Sequence, residues 1–338
     1  MDWNHDAAKA SCYPELRGKV VLLTGATGLI GSAVVRRLLR AAAEEKPKEI
    51  LLLVRNEEKA REKFGDAADR LTFIRGGITE LPEIPQDADY IIHAAGETGS
   101  RAFVESPADV IRTNLRGTEN LLELARRKKS LGFVYTSTME VYGTPQTDEK
   151  ITESHSCSLD TMKVRSSSPE SKRACEALCA AYAGQFGVPA KVIRLTQTFG
   201  PGVAYDDARV FAEFARCVIE KRDIVLKTKG ETKRSYLYTE DAAEAILTVL
   251  TRGEKGEAYN AANEETYCSI LEMAELAAKE FGAGKVRVRC EPGDAEAAGY
   301  APVLRMNLDT GKLRNLGWRP KTGLADSFRE MLKDLQKR

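Results

Sequence analysis

Three glycines stand three apart in Thr24-Gly25-Ala26-Thr27-Gly28-Leu29-Ile30-Gly31, directly after a short apolar run. A turn of this kind can hold a phosphate anion. Gly25 permits the tight turn, Gly28 lets backbone approach a pyrophosphate, and Gly31 lets the next helix lie close to a sheet. The first N–H groups of that helix point at the anion, and Thr27, Leu29 and Ile30 complete the candidate cofactor-binding turn. The pattern carries weight only between a strand and a helix, so the flanking residues decide its meaning.

Those flanks have the required periodicities. Residues 19–24 (KVVLLT) form an apolar run ending in glycine, which reads as a buried strand. Residues 29–43 place Leu29, Ile30, Ala33, Val34, Leu38 and Leu39 at helical period, with arginines on the other face. Further strands are expected at 49–54, 71–74, 90–94, 132–138 and 190–195. Long helices are expected at 110–127 and 169–186, the second with Pro169 in its first turn, where a missing N–H costs nothing. This alternation predicts an α/β fold, a Rossmann-like doubly wound parallel sheet covered by helices. After Gly202 the rhythm loosens, so a smaller interwoven C-terminal lobe is expected. The expected division is a leader at 1–17, a dinucleotide-binding domain at 18–200 and a mainly substrate-binding lobe at 201–338, with segments returning to the first domain.

Composition narrows the function classes. Across 338 residues, 51 Lys+Arg nearly cancel 50 Asp+Glu, so no global field favours nucleic acid or an anionic membrane. An anionic ligand needs a local site. No apolar run approaches the ~20 residues that span a bilayer. The first residues include early acids and no apolar stretch, which argues for a flexible or surface-packed leader rather than a secretory signal. Seven scattered cysteines without a CxxC argue for free thiols in a reducing, cytoplasmic compartment. His5, His93 and His155 are too few and too dispersed for a histidine-based metal site.

The GxxGxxG spacing resembles the short-chain dehydrogenase/reductase superfamily, and later motifs narrow the resemblance to its extended NAD-dependent epimerase/dehydratase branch. His93-Ala94-Ala95-Gly96 looks like the segment beside the cofactor, and Asn114 matches the branch's helix asparagine. Thr136-Ser137-Thr138-Met139-Glu140-Val141-Tyr142-Gly143 resembles the catalytic strand end. Arg194-Leu195-Thr196-Gln197-Thr198-Phe199-Gly200-Pro201 resembles the substrate loop, and Thr232-Lys233-Arg234-Ser235-Tyr236 and Gly317-Trp318-Arg319-Pro320 follow in order. The resemblance runs from residue 18 to the C-terminus. It implies a nicotinamide cofactor, a nucleotide-diphosphate sugar as substrate, chemistry through a 4-keto sugar, and a homodimer formed by the helices at 110–127 and 169–186.

NAD and NADP differ in what should follow the second strand, a carboxylate for a ribose 2′-OH or an arginine for a 2′-phosphate. Here Val54-Arg55-Asn56 carries no acid, which leans toward NADP; stacking of Arg55 on the adenine, or exposure to solvent, is the other reading.

The resemblance also implies a tyrosine and a lysine separated by three residues, the phenolate taking a sugar hydroxyl proton while the lysine lowers the phenol pKa from about 10. Lys172 fits, but the tyrosine position is Ser168. A serine is shorter by an aromatic ring and far less acidic. Three explanations stand open: a replacement that traps substrate, a departure with the chemistry moved to a group such as Tyr142, or a binding-only relative. Serine before proline also suits a helix N-cap. Thr138 matches the hydroxyl that bonds the reacting sugar oxygen, and Glu140 the carboxylate of dehydratases and decarboxylases. Met139 stands where a dehydratase has its acid, which weakens 4,6-dehydration and leaves epimerisation and oxidative decarboxylation.

On the substrate side the resemblance points to Arg234 for the diphosphate, where a planar guanidinium can bind phosphate oxygens in pairs. Gln197 stands at the position of a common asparagine. The alternatives are a catalytically silent binding protein and an NADPH-dependent reductase.

Overall fold

The apolar runs that begin at Val20 become the strands of one seven-stranded sheet. The computed structural model describes residues 12–99, 101–156, 158–293 and 303–337. Strands β1 (Val20–Thr24), β2 (Glu49–Val54), β3 (Thr72–Arg75), β4 (Tyr90–His93), β5 (Gly132–Thr138) and β6 (Ala190–Leu195) join β10 (Ala258–Ala261) in the order β10-β6-β5-β4-β1-β2-β3. All pairings in it are parallel. The reversal of order between β1 and β4 opens a crevice at the carboxyl ends of the strands, where such sheets bind ligands.

Both faces are covered, which explains the continuous apolar runs 20–23 in β1 and 50–54 in β2 in place of alternation. Val21 and Leu23 face one layer, containing α1 (Leu29–Leu39) and α7 (Thr239–Arg252). Val20 and Leu22 face the other, with α4 (Pro107–Lys128) and α5 (Ser167–Phe186). The remaining helices are α2 (Glu57–Phe64), α3 (Ala102–Glu105), α6 (Val210–Glu220), α8 (Ile270–Phe281), α9 (Gly311–Asn315) and α10 (Leu324–Gln336).

A second sheet contains β7 (Gln197–Phe199), β9 (Lys233–Tyr238), β11 (Asn263–Ser269) and β13 (Arg305–Met306). β8 (Ile224–Leu226) pairs with β12 (Val288–Cys290). Phe199, Phe211, Phe214 and Phe328 anchor a separate core against this second sheet. No helix among the described residues is long and apolar enough to cross a membrane.

One helix boundary shifts from its expected place. The first helix stops at Leu39 instead of 43, and the chain turns so that Glu45 meets Arg37 at 2.9 Å. The three alanines at 41–43 imitate helix, but the buried ion pair sets the chain's path. Residues 1–11 of the expected leader, with His5, lie outside the described residues, as does Cys157. From Cys12 onward the segment is packed on the surface: Cys12, Pro14, Glu15 and Arg17 are exposed, whereas Tyr13 is 0% exposed and its hydroxyl donates to the Glu244 carbonyl at 2.8 Å.

Candidate active site

The glycine turn closes on itself and on β4. Gly25 has φ +74°, and a Cβ there would lie 2.5 Å from the Ala94 carbonyl carbon. A Cβ on Gly31 would lie 2.1 Å from the Gly25 oxygen, so this glycine serves the turn itself as well as helix packing. At Gly28 the only atom of the described residues within 4 Å of such a carbon is the Gly25 oxygen at 3.3 Å, which leaves the turn open on its outer side. Among the described residues no side chain caps the first turn of α1. Its leading N–H groups therefore need an outside acceptor, and a pyrophosphate fits that need. Thr27 is half-buried, whereas Leu29 and Ile30 are partly committed to packing, Leu29 with the second sheet's core and Ile30 with the first.

His93 acts on this turn from within. Thr24 Oγ1 receives a hydrogen bond from Ala95 N at 3.2 Å and can donate to His93 Nδ1 at 2.9 Å. His93 Nε2 then donates to Thr118 Oγ1 at 3.2 Å. Burial and the nearby Lys172 push the imidazole down to about 3, so it is neutral. Both ring nitrogens are taken. Through Thr24 it is linked to Ala95, whose backbone borders the turn.

The chemical cluster forms where β5 ends against α5. Lys172 Nζ donates to Thr136 O at 2.8 Å and lies 4.6 Å from the Tyr135 ring centroid. Burial lowers its pKa to about 8. A Cβ on Gly96 would stand 3.7 Å from this nitrogen and 3.3 Å from Asn114 Oδ1, so the β4 loop, α4 and α5 converge here. Asn114 Nδ2 donates to Ser171 Oγ, which donates to Ser168 O. Ser168 is 5% exposed and lies inside the first turn of α5; Ser166 holds the N-cap position, so the N-cap expectation for Ser168 does not hold. The 3-10 helix Val164–Ser166 runs into α5 and moves the helix start upstream. Thr138 Oγ1 accepts from Glu140 N at 3.3 Å.

Tyr142 is not placed to replace the missing phenol. It is buried, its hydroxyl donates to Asn260 Oδ1 at 2.7 Å, and Arg194 Nη1 donates to it at 2.8 Å. Burial outweighs the arginine and pushes it up to about 12. Arg194 itself is held by Glu176, which also accepts from Ser137.

On the second sheet Arg234 has a buried Nε without a hydrogen-bond partner among the described residues. A guanidinium left with an unpaired buried donor fits an absent anion. Gln197 is half-buried and pairs across the strands with Tyr236, two residues from Arg234. Arg55 is exposed at the end of β2, and Arg75 ends the neighbouring β3, in register with Val54.

The family model for the NAD dependent epimerase/dehydratase family matches residues 21–262. The chain belongs to this family. Among curated relatives of this epimerase/dehydratase, UDP-glucuronic acid decarboxylase 1 of Arabidopsis thaliana is 28% identical, covering 94% of this chain and 70% of its own. dTDP-glucose 4,6-dehydratase 1 of Escherichia coli is 29% identical over 92% of this chain and 91% of its own. The solved UDP-glucose 4-epimerase of Thermotoga maritima has the same fold, with TM-score 0.79 and 22% identity over 94% and 99% of the two chains. The dTDP-glucose 4,6-dehydratase DesIV of Streptomyces venezuelae, solved with NAD bound, gives TM-score 0.77 at 26% identity over 94% and 97%.

One partner of Glu140 carries no signal in the sequence. Arg165 Nη2 donates to both oxygens of Glu140, at 3.0 and 3.1 Å. The two residues are 25 apart in the chain, and no local spacing signals the pair.

Proposed function

We propose that this family member binds a nicotinamide dinucleotide on the glycine turn and a nucleotide-diphosphate sugar against Arg234, and belongs to a reaction that passes through a 4-keto sugar. The observation that carries this reading is the meeting of Lys172 and Asn114 beside Gly96, with Lys172 bonded to the strand that ends in Thr138, near a turn whose outer face and leading N–H groups are open. When bound, the dinucleotide supplies hydride acceptance and return. The chain's own part is to orient the sugar through Thr138, to hold the ribose side with Lys172, and to pair phosphate oxygens with Arg234 and an amide with Gln197.

Ser168 leaves proton removal without its usual phenol, so we read this form as impaired in turnover and intact in binding. Met139 lacks a proton to give, and its sulfur accepts a hydrogen bond from Thr196 at 3.3 Å. Decarboxylation or epimerisation therefore suits the site better than 4,6-dehydration. Arg55 with Arg75 supports NADP over NAD. The second sheet and its helices are assigned to the substrate, and α4 with α5 to a homodimer contact.

Titration with NAD+, NADP+, UDP, dTDP and their glucose conjugates tests the reading by calorimetry. Saturable binding of a dinucleotide and of a nucleotide sugar is expected. Binding of a dinucleotide alone would reduce the chain to a dinucleotide-binding protein.

A further inference from the structure

Lys172 carries its ammonium without a carboxylate. Its Nζ donates to the Thr136 carbonyl, and among the described residues no acid pairs with it. Glu176, one helical turn further on, is committed to Arg194 at 2.6 Å and to Ser137. An ammonium has three N–H donors, so a single carbonyl leaves most of its charge unanswered.

What answers it is a ring. The Tyr135 centroid lies 4.6 Å from Nζ, inside the roughly 6 Å at which an aromatic face attracts a cation. Tyr135 is 1% exposed and stands in register with His93 on the neighbouring strand, their rings 5.3 Å apart. The ring thus lies between the lysine and a histidine that bonds Thr24 at the start of the glycine turn. The Tyr135 hydroxyl is buried beside the Cys175 thiol and has no nitrogen or oxygen partner among the described residues. It is the ring, not the phenol, that has something to do here.

The surrounding elements bring no rival charge. His93 is neutral, α4 buries no charged side chain, and β6 turns Arg194 onto Glu176. Burial keeps Cys179 of α5 in its thiol form. Glu97, on the loop after β4, is exposed and accepts from Thr98 N and Gly99 N. Asn114 offers only an amide dipole across Gly96.

We infer that Tyr135 is a positioning residue: the face of its ring holds the Lys172 ammonium charged and fixed beside Gly96, in place of a carboxylate. A ring face attracts the charge without taking the directional, short bond that a carboxylate would. The amine therefore keeps donors for a ligand. Only the binding readout below rests on the dinucleotide reading above.

The test follows the Lys172 titration by NMR in the full chain labelled with carbon-13 lysine, the signal assigned by its loss in Lys172→Arg. Tyr135→Phe keeps the ring and should leave the titration where it is. Tyr135→Leu removes the ring and should lower the Lys172 pKa by about one, a tenfold loss of proton affinity. Trifluorophenylalanine at position 135 keeps the shape, depletes the ring face and should lower it in the same direction. From a pKa of about 8 in the unaltered chain, the leucine form loses charged lysine about fivefold at pH 8 and hardly at all at pH 6. NAD+ affinity by calorimetry should follow, falling about fivefold at pH 8 and staying level at pH 6. A Lys172 titration common to the tyrosine, phenylalanine, leucine and fluorinated forms overturns the inference. If the titration moves as expected and NAD+ affinity ignores it, the inference stands and the dinucleotide role of Lys172 falls. Should the leucine form fail to fold, the fluorinated form decides: a titration matching that of Tyr135→Phe contradicts a role for the ring face.

Discussion

Lys172 Nζ donates to the carbonyl oxygen of Thr136 at 2.8 Å, which pins the second turn of α5 to the strand that ends in Thr138. Ser137, between the two threonines, donates to Glu176 one helical turn beyond Lys172. The strand end and the helix are thus locked together twice, once by an amine and once by a carboxylate that also holds Arg194. The scaffold around the missing phenol is rigid without it, which is why we expect binding to outlast catalysis.

The glycine turn gives the sharpest steric prediction. Gly25→Ala forces both a positive φ and a 2.5 Å contact with the Ala94 carbonyl carbon, and Gly31→Ala a 2.1 Å contact with the Gly25 oxygen. Each should lower Tm and abolish dinucleotide binding. Gly28→Ala meets only one atom, at 3.3 Å, so it should keep Tm within a few degrees yet weaken dinucleotide binding about tenfold or more. Thermal melts paired with cofactor titration separate the two kinds of effect.

Cofactor choice can be reversed at Arg55. NADP+ should bind more tightly than NAD+, and Arg55→Asp should invert the order, because a carboxylate accepts from a 2′-OH and repels a 2′-phosphate. An order unmoved by the substitution would place Arg55 in solvent with no part in recognition.

A buried ion-pair network should control folding stability far from the site. Arg37 meets Glu45 at 2.9 Å and Glu244 at 2.5 Å, and Tyr13 N donates to Glu45. Arg37→Met leaves two carboxylates uncompensated in the interior and should cost about 3–5 kcal/mol in denaturant unfolding. Burial raises the pKa of Glu45, but Arg37 and the backbone donors outweigh it and hold it below the ordinary carboxylate value. Its contribution is therefore present above the unfolded pKa and is lost as pH falls through the folded one. The same substitution should flatten the acid limb of the stability curve.

Lys191 predicts the opposite limb. It is buried, donates to the Leu250 carbonyl at 3.1 Å, and burial lowers its pKa from 10.5 to about 8. Between those values the unfolded chain binds more protons, so this group's contribution to stability rises with pH. Lys191→Met should stabilise by about 1–3 kcal/mol at pH 7, with the gain shrinking between pH 8 and 10.5. A constant difference across that range would contradict burial of a titrating amine.

Much of the fold was legible because the chemistry is local. Runs such as 20–23 and 50–54 are apolar at every position, as a sheet covered on both faces requires, and the glycine turn 25–31 sits where strand meets helix. Tertiary partners were not legible. The alanines after Leu39 read as helix because Glu45 gives no sign of its pull toward Arg37. His93 read as a cofactor neighbour by position, but its ring is consumed by Thr24 and Thr118. Ser168 looked like an N-cap until the helix proved to start earlier. Arg165 carries no motif at all, and only the fold brings it to Glu140.

On the proposed reading, Ser168 alone separates a binding scaffold from an active enzyme. Its most direct test compares the chain with its Ser168→Tyr form on nucleotide sugars, UDP-glucuronate first, with products followed by mass and NMR. We predict turnover only in the tyrosine form, with loss of CO2 for a decarboxylase or an unchanged mass for an epimerase. If both forms bind dinucleotide and sugar and neither turns over, or if the serine form is as fast as the tyrosine form, the account is contradicted.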